Sequence, residues 1–486
     1  MAVPLLLSSS HPLPPIGHFF QAKRHLQEGK IYIRSRYRMQ GEVAEDLLTL
    51  SLSVGSAKKR KRREHHHHHS CGNKTLAMAL LHARERMLCL NRGGIEEDDK
   101  GLRLVRLLLL CAASIDREDQ DSAAAYLFEI YRHVSLTGDS IQRVAAYFAD
   151  GLLARLLAPA SSIEANPTPA DEFSAFTSLY SASPYYQFAH FTANQAITET
   201  FEAEEHRNGG ALHVVDLDVS HGFQWPSLIE SLSEKATSSN PIRLRITGFG
   251  RNAAELRETE TRLSGFARGC RNLSFEFDGK LGYAADALKD LSFEKNATIV
   301  VNLVFYLHEL KSYGEISATL ESIHSFNPSL LVLIDKEWGS VMQTSGFLPR
   351  FVDSLHYFAA MFDSLDDCLP AESKERFRIE KNHLGREIRN AVRLKEGEER
   401  GALVKYGTLE TWKAVMESRG FEGVCMSSRS VSQAKLLLKI KSHCSAMEEH
   451  GRGAGFRISE RDDGRAMSLG WQERHLITAT AWKCSS

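Results

Sequence analysis

The sequence predicts an α/β chain with a mostly parallel sheet, an all-helical cap ahead of it and a disordered N-terminal arm. Three observations carry that expectation. Residues 102–157 repeat leucines and other apolar residues at helical spacing. From Ala211 the period shortens, and brief apolar runs alternate with helical stretches. Before Gly101 the chain is rich in serine, proline and charge runs. Strands that alternate with helices imply a parallel sheet covered on both faces.

Composition sets the frame. The chain has 486 residues, 43% hydrophobic and 25% charged, as a folded globular protein does. That excludes a collagen-like repeat or a coiled-coil rod. The net charge of −1 hides a division. Residues 1–70 hold 12 Lys/Arg against 5 Asp/Glu, a net of +7, which leaves −8 for residues 71–486. No apolar run approaches the roughly 20 residues of a membrane helix, and Val3–Leu7 does not read as a secretory signal. The eight cysteines have no C-x-x-C spacing. This fits a reducing compartment with idle or buried thiols.

Residues 1–100 read as the arm, in which only Lys74–Leu90 has helical periodicity. Three helices follow. The first runs Leu102–Ala113 with Leu104, Leu107, Leu108 and Cys111 on one face. The second carries Ala124, Leu127, Phe128, Tyr131 and Val134. The third opens on an Asp139–Gln142 capping box and shows Val144, Phe148, Leu152 and Leu156. Residues 171–205 read as further helix with Pro184 inside. Five strands are expected at Leu212–Asp218, Ile242–Gly248, Leu273–Phe277, Thr298–Phe305 and Leu330–Asp335. A long helical region, 348–393, comes next. Three short alternating runs close the chain at Phe456–Glu460, Met467–Trp471 and Leu476–Trp482, with a hairpin turn at Asp463-Gly464. An antiparallel ending on a parallel sheet is a Rossmann-like, class I methyltransferase-like pattern. The division is therefore an arm (1–100), a helical cap (101–205) and an α/β core (206–486).

Four segments bear on function. Lys58, Lys59, Arg60, Lys61, Arg62 and Arg63 are six adjacent cations, which no core can accept; they read as a nuclear import signal. His65–His69 reads as a low-complexity or tag-derived tract. Leu48, Leu50 and Leu52 alternate on an extended segment and suit docking into a groove of a partner; the pattern resembles a short amphiphilic repression motif, which implies a corepressor contact. The first strand ends Asp216-Leu217-Asp218, where such folds bind ligands. Only one glycine, Gly222, follows, and the second strand ends Gly248-Phe249-Gly250-Arg251 without the acid that an adenosine ribose needs. A methyltransferase that binds S-adenosylmethionine stays as the alternative reading. No G-x-S-x-G, H-E-x-x-H or P-loop pattern occurs, so no catalytic residue, cofactor or metal ligand is assigned. His308, His356 and His383 read as satisfied histidines, and Trp225, Trp412, Trp471 and Trp482 as structural. Arg243, Arg245 and Arg251 form a local basic patch, but a net −8 body is a poor match for a phosphate backbone.

Taken together, the residues resemble the plant GRAS family, in its scarecrow-like branch. His213, Val214, Val215, Asp216 and Leu217 are a variant of the V-H-I-I-D box, followed by Gly222-Phe223-Gln224-Trp225-Pro226. The P-F-Y-R-E region is matched by Pro328, Tyr357-Phe358, Phe362-Asp363-Ser364-Leu365 and Arg386-Glu387, with the Phe-Tyr pair inverted. The S-A-W region is matched by Trp412 to Gly420, Ser459-Glu460-Arg461, Leu469-Gly470-Trp471 and Ala481-Trp482. The resemblance implies a nuclear, non-enzymatic transcription regulator without a cofactor. Its partners would be DNA-binding transcription factors or other GRAS proteins, in homo- or heterodimers, with DNA as a further contact. Leu104, Leu107, Leu108, Leu127, Val144 and Leu152 would lie on its partner or dimer helices. No D-E-L-L-A segment occurs in residues 1–100, so gibberellin control is not carried over.

Overall fold

The computed structural model describes residues 97–157, 167–282, 287–310, 312–339, 346–393, 407–441 and 455–485. The basic run Lys58–Arg63, the His65–His69 tract, the Leu48/Leu50/Leu52 pattern, the helix expected at 74–90 and the disorder expected of the arm up to residue 96 lie outside them.

The first helix, α1 (Glu97–Asp116), begins within the expected arm. α2 (Gln120–His133) is capped by Asp119. α3 (Ser140–Leu156) opens on the Asp139–Gln142 capping box, with both reciprocal bonds made. The expected single helix over 171–205 is two, α4 (Pro169–Ala182) and α5 (Pro184–Ala203). Proline lacks the N–H an interior position needs but suits the first position of a helix. Ser183 accordingly caps α5 and Pro184 starts it.

Strands β1 (Ala211–Asp216), β2 (Ile242–Gly250), β3 (Leu273–Leu281), β4 (Thr298–Val304) and β5 (Leu330–Lys336) pair in parallel in the order 3-2-1-4-5. Helices α6 (Trp225–Lys235), α7 (Ala253–Ala267) and α8 (Tyr313–Ser325) connect them. After β5 come α9 (Phe347–Cys368), α10 (Lys374–Ile379), a π-helical turn over Glu380–Leu384, α11 (Gly385–Arg393) and α12 (Leu409–Ser418). Then follow β6 (Phe421–Val424), α13 (Ser428–Lys441), β7 (Phe456–Arg461), β8 (Ala466–Trp471) and β9 (Arg474–Cys484). β9 inserts antiparallel beside β5, β8 and β7 follow it, and β6 also pairs with β9. The β7–β8 turn contains the expected Asp463-Gly464 but begins a residue earlier, with Asp462, Asp463 and Gly464 all at positive φ.

Side chains alternate across the sheet as the period of two requires. Val214, Val300, Val332 and Ile334 enter one core with the cap helices; Val215, Val301, Leu331 and Leu333 enter the other with Trp412, Met416 and Trp482. Trp225, Trp412, Trp471 and Trp482 are all buried, as expected of structural aromatics.

The Rossmann-like, class I methyltransferase-like fold class is corrected. Four strand pairings are parallel and four antiparallel, so the sheet is mixed rather than mostly parallel. Helices hold most of the described residues. The helical layer is not confined to the residues before β1, because α9 and α11 pack against α3. One residue fastens that return. Arg143, in α3, is buried; its Nε donates to Glu380 Oε1 at 2.9 Å, its Nη2 to Asp366 Oδ1 at 2.6 Å and its Nη1 to the Gly138 carbonyl at 2.7 Å. Beside it, a Cβ on Gly385 would lie 2.6 Å from the Tyr147 ring, so α11 meets α3 at glycine-only distance.

Burial pushes the Glu380 carboxyl up to about 7 although Arg143 and Arg376 pull it down. Removing the arginine leaves that carboxyl without its closest partner in an apolar setting. Arg143→Met is expected to cost about 3–5 kcal/mol at pH 7 and less at pH 5, where Glu380 takes up a proton. Denaturant unfolding at the two pH values checks this; an equal loss at both would separate the cost from Glu380.

Candidate functional site

The sequence placed its candidate at the carboxyl end of β1, and the structure shows how each box residue is used. His213 points its Nε2 to Thr247 Oγ1 at 2.9 Å and its ring against Phe293. Val214 and Val215 are fully buried on opposite sheet faces, and Leu217 joins the second core. Asp216 is buried, and its oxygens accept from Asn302 Nδ2 at 3.0 Å and Trp225 Nε1 at 3.1 Å. Asn302 is bridged by Gln224 Nε2 at 3.1 Å, and the same Gln224 nitrogen reaches Asn194 Oδ1 at 3.1 Å. Asn194 Nδ2 in turn donates to the Gln224 carbonyl and Ser227 Oγ. The strand end therefore presents its carboxylate to the protein's own donors. Asp218 caps its own turn, accepting from the Ser220 N–H at 3.1 Å.

A second polar group lies at the ends of β4 and β5. His308 Nδ1 is 2.6 Å from Asp335 Oδ1, and its Nε2 is 3.3 Å from Glu309. Burial disfavours the charged ring, but Asp335 and Glu309 outweigh it and hold His308 at about 9. Lys336 pairs with Glu387 at 2.7 Å. Burial pushes Glu387 up, and Lys336 and His383 bring it below the usual carboxylate range. His383 faces Tyr186 Oη at 3.1 Å, and burial drops it to about 4. These are paired groups rather than a nucleophile with an oriented base.

The basic patch is also paired. Arg243 meets Glu294 at 2.6 Å, Arg245 meets Asp278 at 3.2 Å, and Arg251 meets Glu309 at 3.4 Å. Of the leucine-rich positions, Leu104, Leu108, Leu127, Val144 and Leu152 are buried in the protein's own core, and Leu107 is half-buried against it. Among the described residues, no group of three His, Cys, Asp or Glu side chains is placed to hold a metal ion. The cysteines Cys111, Cys270, Cys368, Cys425 and Cys484 are free thiols.

Sequence reasoning passed over Asn302, Asn194, Asp335 and Lys336. A signal was present for two of them: Asn302 is the polar interruption of an apolar strand, and Asp335-Lys336 is a charged pair ending another. Asn194 gave none, since a polar residue on a helix is usually solvated.

The arrangement defines a helix-rich fold on a mixed sheet of the GRAS type. The crystal structure of SCL7 from Oryza sativa superposes with a TM-score of 0.64 at 30% identity, covering 78% of this chain and 99% of that one. Methyltransferase chains reach TM-scores of only 0.27 and 0.19, and no likeness of fold rests on them. The model of the GRAS domain family matches residues 104–483, and the chain belongs to that family. Protein SCARECROW 1 of Oryza sativa subsp. indica is 35% identical over 401 residues, 79% of this chain and 56% of the relative. Protein SCARECROW of Arabidopsis thaliana is 33% identical over 399 residues, 80% of this chain and 56% of the relative. DELLA protein RGL3 of Arabidopsis thaliana is 32% identical, over 80% of this chain and 71% of the relative. The chain thus spans little more than half the length of the SCARECROW relatives.

Asp216 yields a test. Burial raises its carboxyl from 3.8 to about 7. A folded-state pKa above the unfolded one means that stability falls as pH rises across that window. Asp216→Asn removes the titration and turns one acceptor into a donor facing a donor. The variant is expected to lose about 1–3 kcal/mol, and its deficit should shrink between about pH 4 and 7. Thermal unfolding across pH reads both effects; a deficit constant with pH would contradict the assignment to Asp216.

Proposed function

We propose that the protein is a nuclear transcription regulator that works through protein partners and catalyses no reaction. The observation that carries this reading is the closed strand end. The Asp216–Asn302–Gln224–Asn194 network consumes, in internal hydrogen bonds, the groups that a ligand at that place would need. Membership of the GRAS family and the likeness to SCARECROW proteins support the regulatory role. The partners are DNA-binding transcription factors and a second GRAS chain, the same or different, with DNA contacted beside them. The Lys58–Arg63 run supplies nuclear entry, and Leu48, Leu50 and Leu52 supply a corepressor contact.

The cap is the surface proposed for pairing with another GRAS chain. Its buried leucines shape the helices, and contact falls to the outer side of α1 around Leu102, which is exposed. A partner interface of this kind is more apolar at its centre than the surrounding surface.

Three outcomes follow. Deleting Lys58–Arg63 is expected to leave the protein in the cytosol; unchanged nuclear accumulation in imaged cells would remove the import role. Leu102→Glu is expected to weaken self-association by sedimentation without shifting the unfolding temperature, because the side chain is outside the core. Calorimetry with S-adenosylmethionine is expected to show no saturable heat; micromolar binding would restore the enzyme reading.

A further inference from the structure

The hairpin end of β7, β8 and β9 belongs neither to the cap nor to the polar groups at the parallel strand ends. Arg457 of β7, Gly470 of β8 and His475 of β9 stand in register across it. Gly470 has no side chain, and Arg457 lies over it. A Cβ at Gly470 would be 3.3 Å from Arg457 Nε and 2.8 Å from the Arg474 carbonyl oxygen. Arg474 precedes His475 and faces Trp471 across the β8–β9 pair. Two guanidinium groups and an imidazole thus share one corner.

Both arginines are half-buried, and among the described residues neither makes an ion pair or a side-chain hydrogen bond. Arg457 Nε, Arg474 Nε and Arg474 Nη2 are shielded from solvent without a partner. Nη1 and Nη2 of Arg457 and Nη1 of Arg474 remain as the nitrogens that reach the surface. Arginines of similar or greater burial elsewhere are matched: Arg143, Arg245, Arg376 and Arg461 each meet a carboxylate. The acids near this corner do not do the same for it. Glu337 accepts from Arg461 at 2.8 and 2.7 Å and from Thr478. Asp353 of α9 acts on Arg474 through space without an ion pair, and Glu473, in the turn before it, is exposed. Burial lowers the basicity of Arg474 and of His475, and Arg461, Arg457 and Arg474 lower His475 further against the pull of Glu337. A partly desolvated cation without a counter-ion is costly, and an incoming anion removes that cost.

We propose that Arg457, Arg474 and His475 bind the phosphate of a phosphorylated side chain on a partner protein. The inference goes beyond the regulatory role, which does not require a phosphate site. A phosphate monoester carries close to two negative charges at neutral pH and has three acceptor oxygens. These match the three guanidinium nitrogens left at the surface, and arginine forks pair with phosphate oxygens in just this way. A carboxylate offers one charge and two oxygens. A nucleic-acid backbone needs cations spaced along a track. Here they are confined to one corner, with Asp353 and Glu473 beside it, and residues 71–486 are negative overall.

The test uses the full chain near neutral pH and a fluorescein-labelled peptide of glycine and alanine around one phosphoserine. Fluorescence anisotropy is expected to show saturable binding that weakens as salt rises, and none with the unphosphorylated peptide. Arg457→Gln/Arg474→Gln is expected to bind at least ~10-fold more weakly, about 1.4 kcal/mol. Its unfolding temperature should equal or exceed that of the unaltered protein, because no internal bond is lost. Saturating phosphopeptide is expected to raise the unfolding temperature of the unaltered protein and to leave that of the variant unchanged. Absence of saturation, unchanged affinity in the variant, or equal affinity for a peptide with Glu in place of phosphoserine would overturn the proposal. So would inorganic phosphate competing as well as unlabelled phosphopeptide, or duplex DNA displacing the probe at a lower concentration than that peptide. The first of these last two outcomes would mark a site for the free ion, the other a site for a nucleic-acid backbone.

Discussion

The fold closes around a guanidinium that cannot be neutralised. Arginine stays charged at any pH a protein meets, so once α3 is packed, the buried Arg143 requires acidic partners. They are Glu380, buried, and Asp366, which is exposed, both more than two hundred residues later in the chain. The helices before β1 therefore cannot finish their layer until α9 to α11 have crossed back over the sheet. A buried ion pair contributes little net stability compared with apolar packing, but a misplaced one is costly. Its use here is registration: it sets which turn of α3 meets the π-helical turn, and Gly385 and Tyr147 complete that contact at a distance no other residue allows. A π-turn inserts one residue into the helical spacing, and this one carries Glu380 towards Arg143 and His383 towards Tyr186.

The same rule operates at the end of β1. Asp216 sits where an open α/β sheet usually exposes polar groups to a ligand. Here the carboxylate is enclosed, and the tryptophan that opens α6 and the asparagine of β4 are its donors. A buried acid that is fully bonded rigidifies its neighbours; one left half-bonded would be the weakest point of the core. The box therefore does mechanical work, joining β1, β4, α5 and α6 through one chain of amides.

Much of this was legible where one period dominates a segment. The capping box of α3 and the five parallel strands lie within a few residues of expectation, because strand alternation and helix capping are local rules. Three features were not legible, for one shared reason: they depend on residues distant in sequence. β6 is four residues of Phe-Glu-Gly-Val with no alternation, and it is a strand only because β9 offers an edge. Nothing in the sequence near Phe347 says that α9 returns to α3. The sheet was read as mostly parallel because five apolar runs outweighed three short ones in sequence. In space, β9 lies beside β5, and it takes part in three of the four antiparallel pairings. The site was half visible: Asp216 announced itself as an acid at a strand end, whereas its partner Asn194 is an unremarkable polar residue in a helix.

Periodicity finds the residues a helix spends on its own core, and it is silent about those spent on partners. Leu104, Leu108, Leu127, Val144 and Leu152 are what a helical wheel selects, and all five are buried within the chain. A side chain cannot fill its own core and a partner's pocket in one conformation. The aliphatic side chains that break the amphipathic pattern are Leu102 on α1, and Leu436 and Ile440 on α13, all exposed. Exposed aliphatic side chains are common and individually mean little. The pair on α13 lies on a helix with four cations and no acid of its own, and acids of neighbouring elements, Glu202 and Glu460, meet Arg429 and Lys435. The Arg243, Arg245 and Arg251 patch shows the same arrangement, each cation held by a neighbouring acid. Where the chain places cations beside its own carboxylates it builds structure.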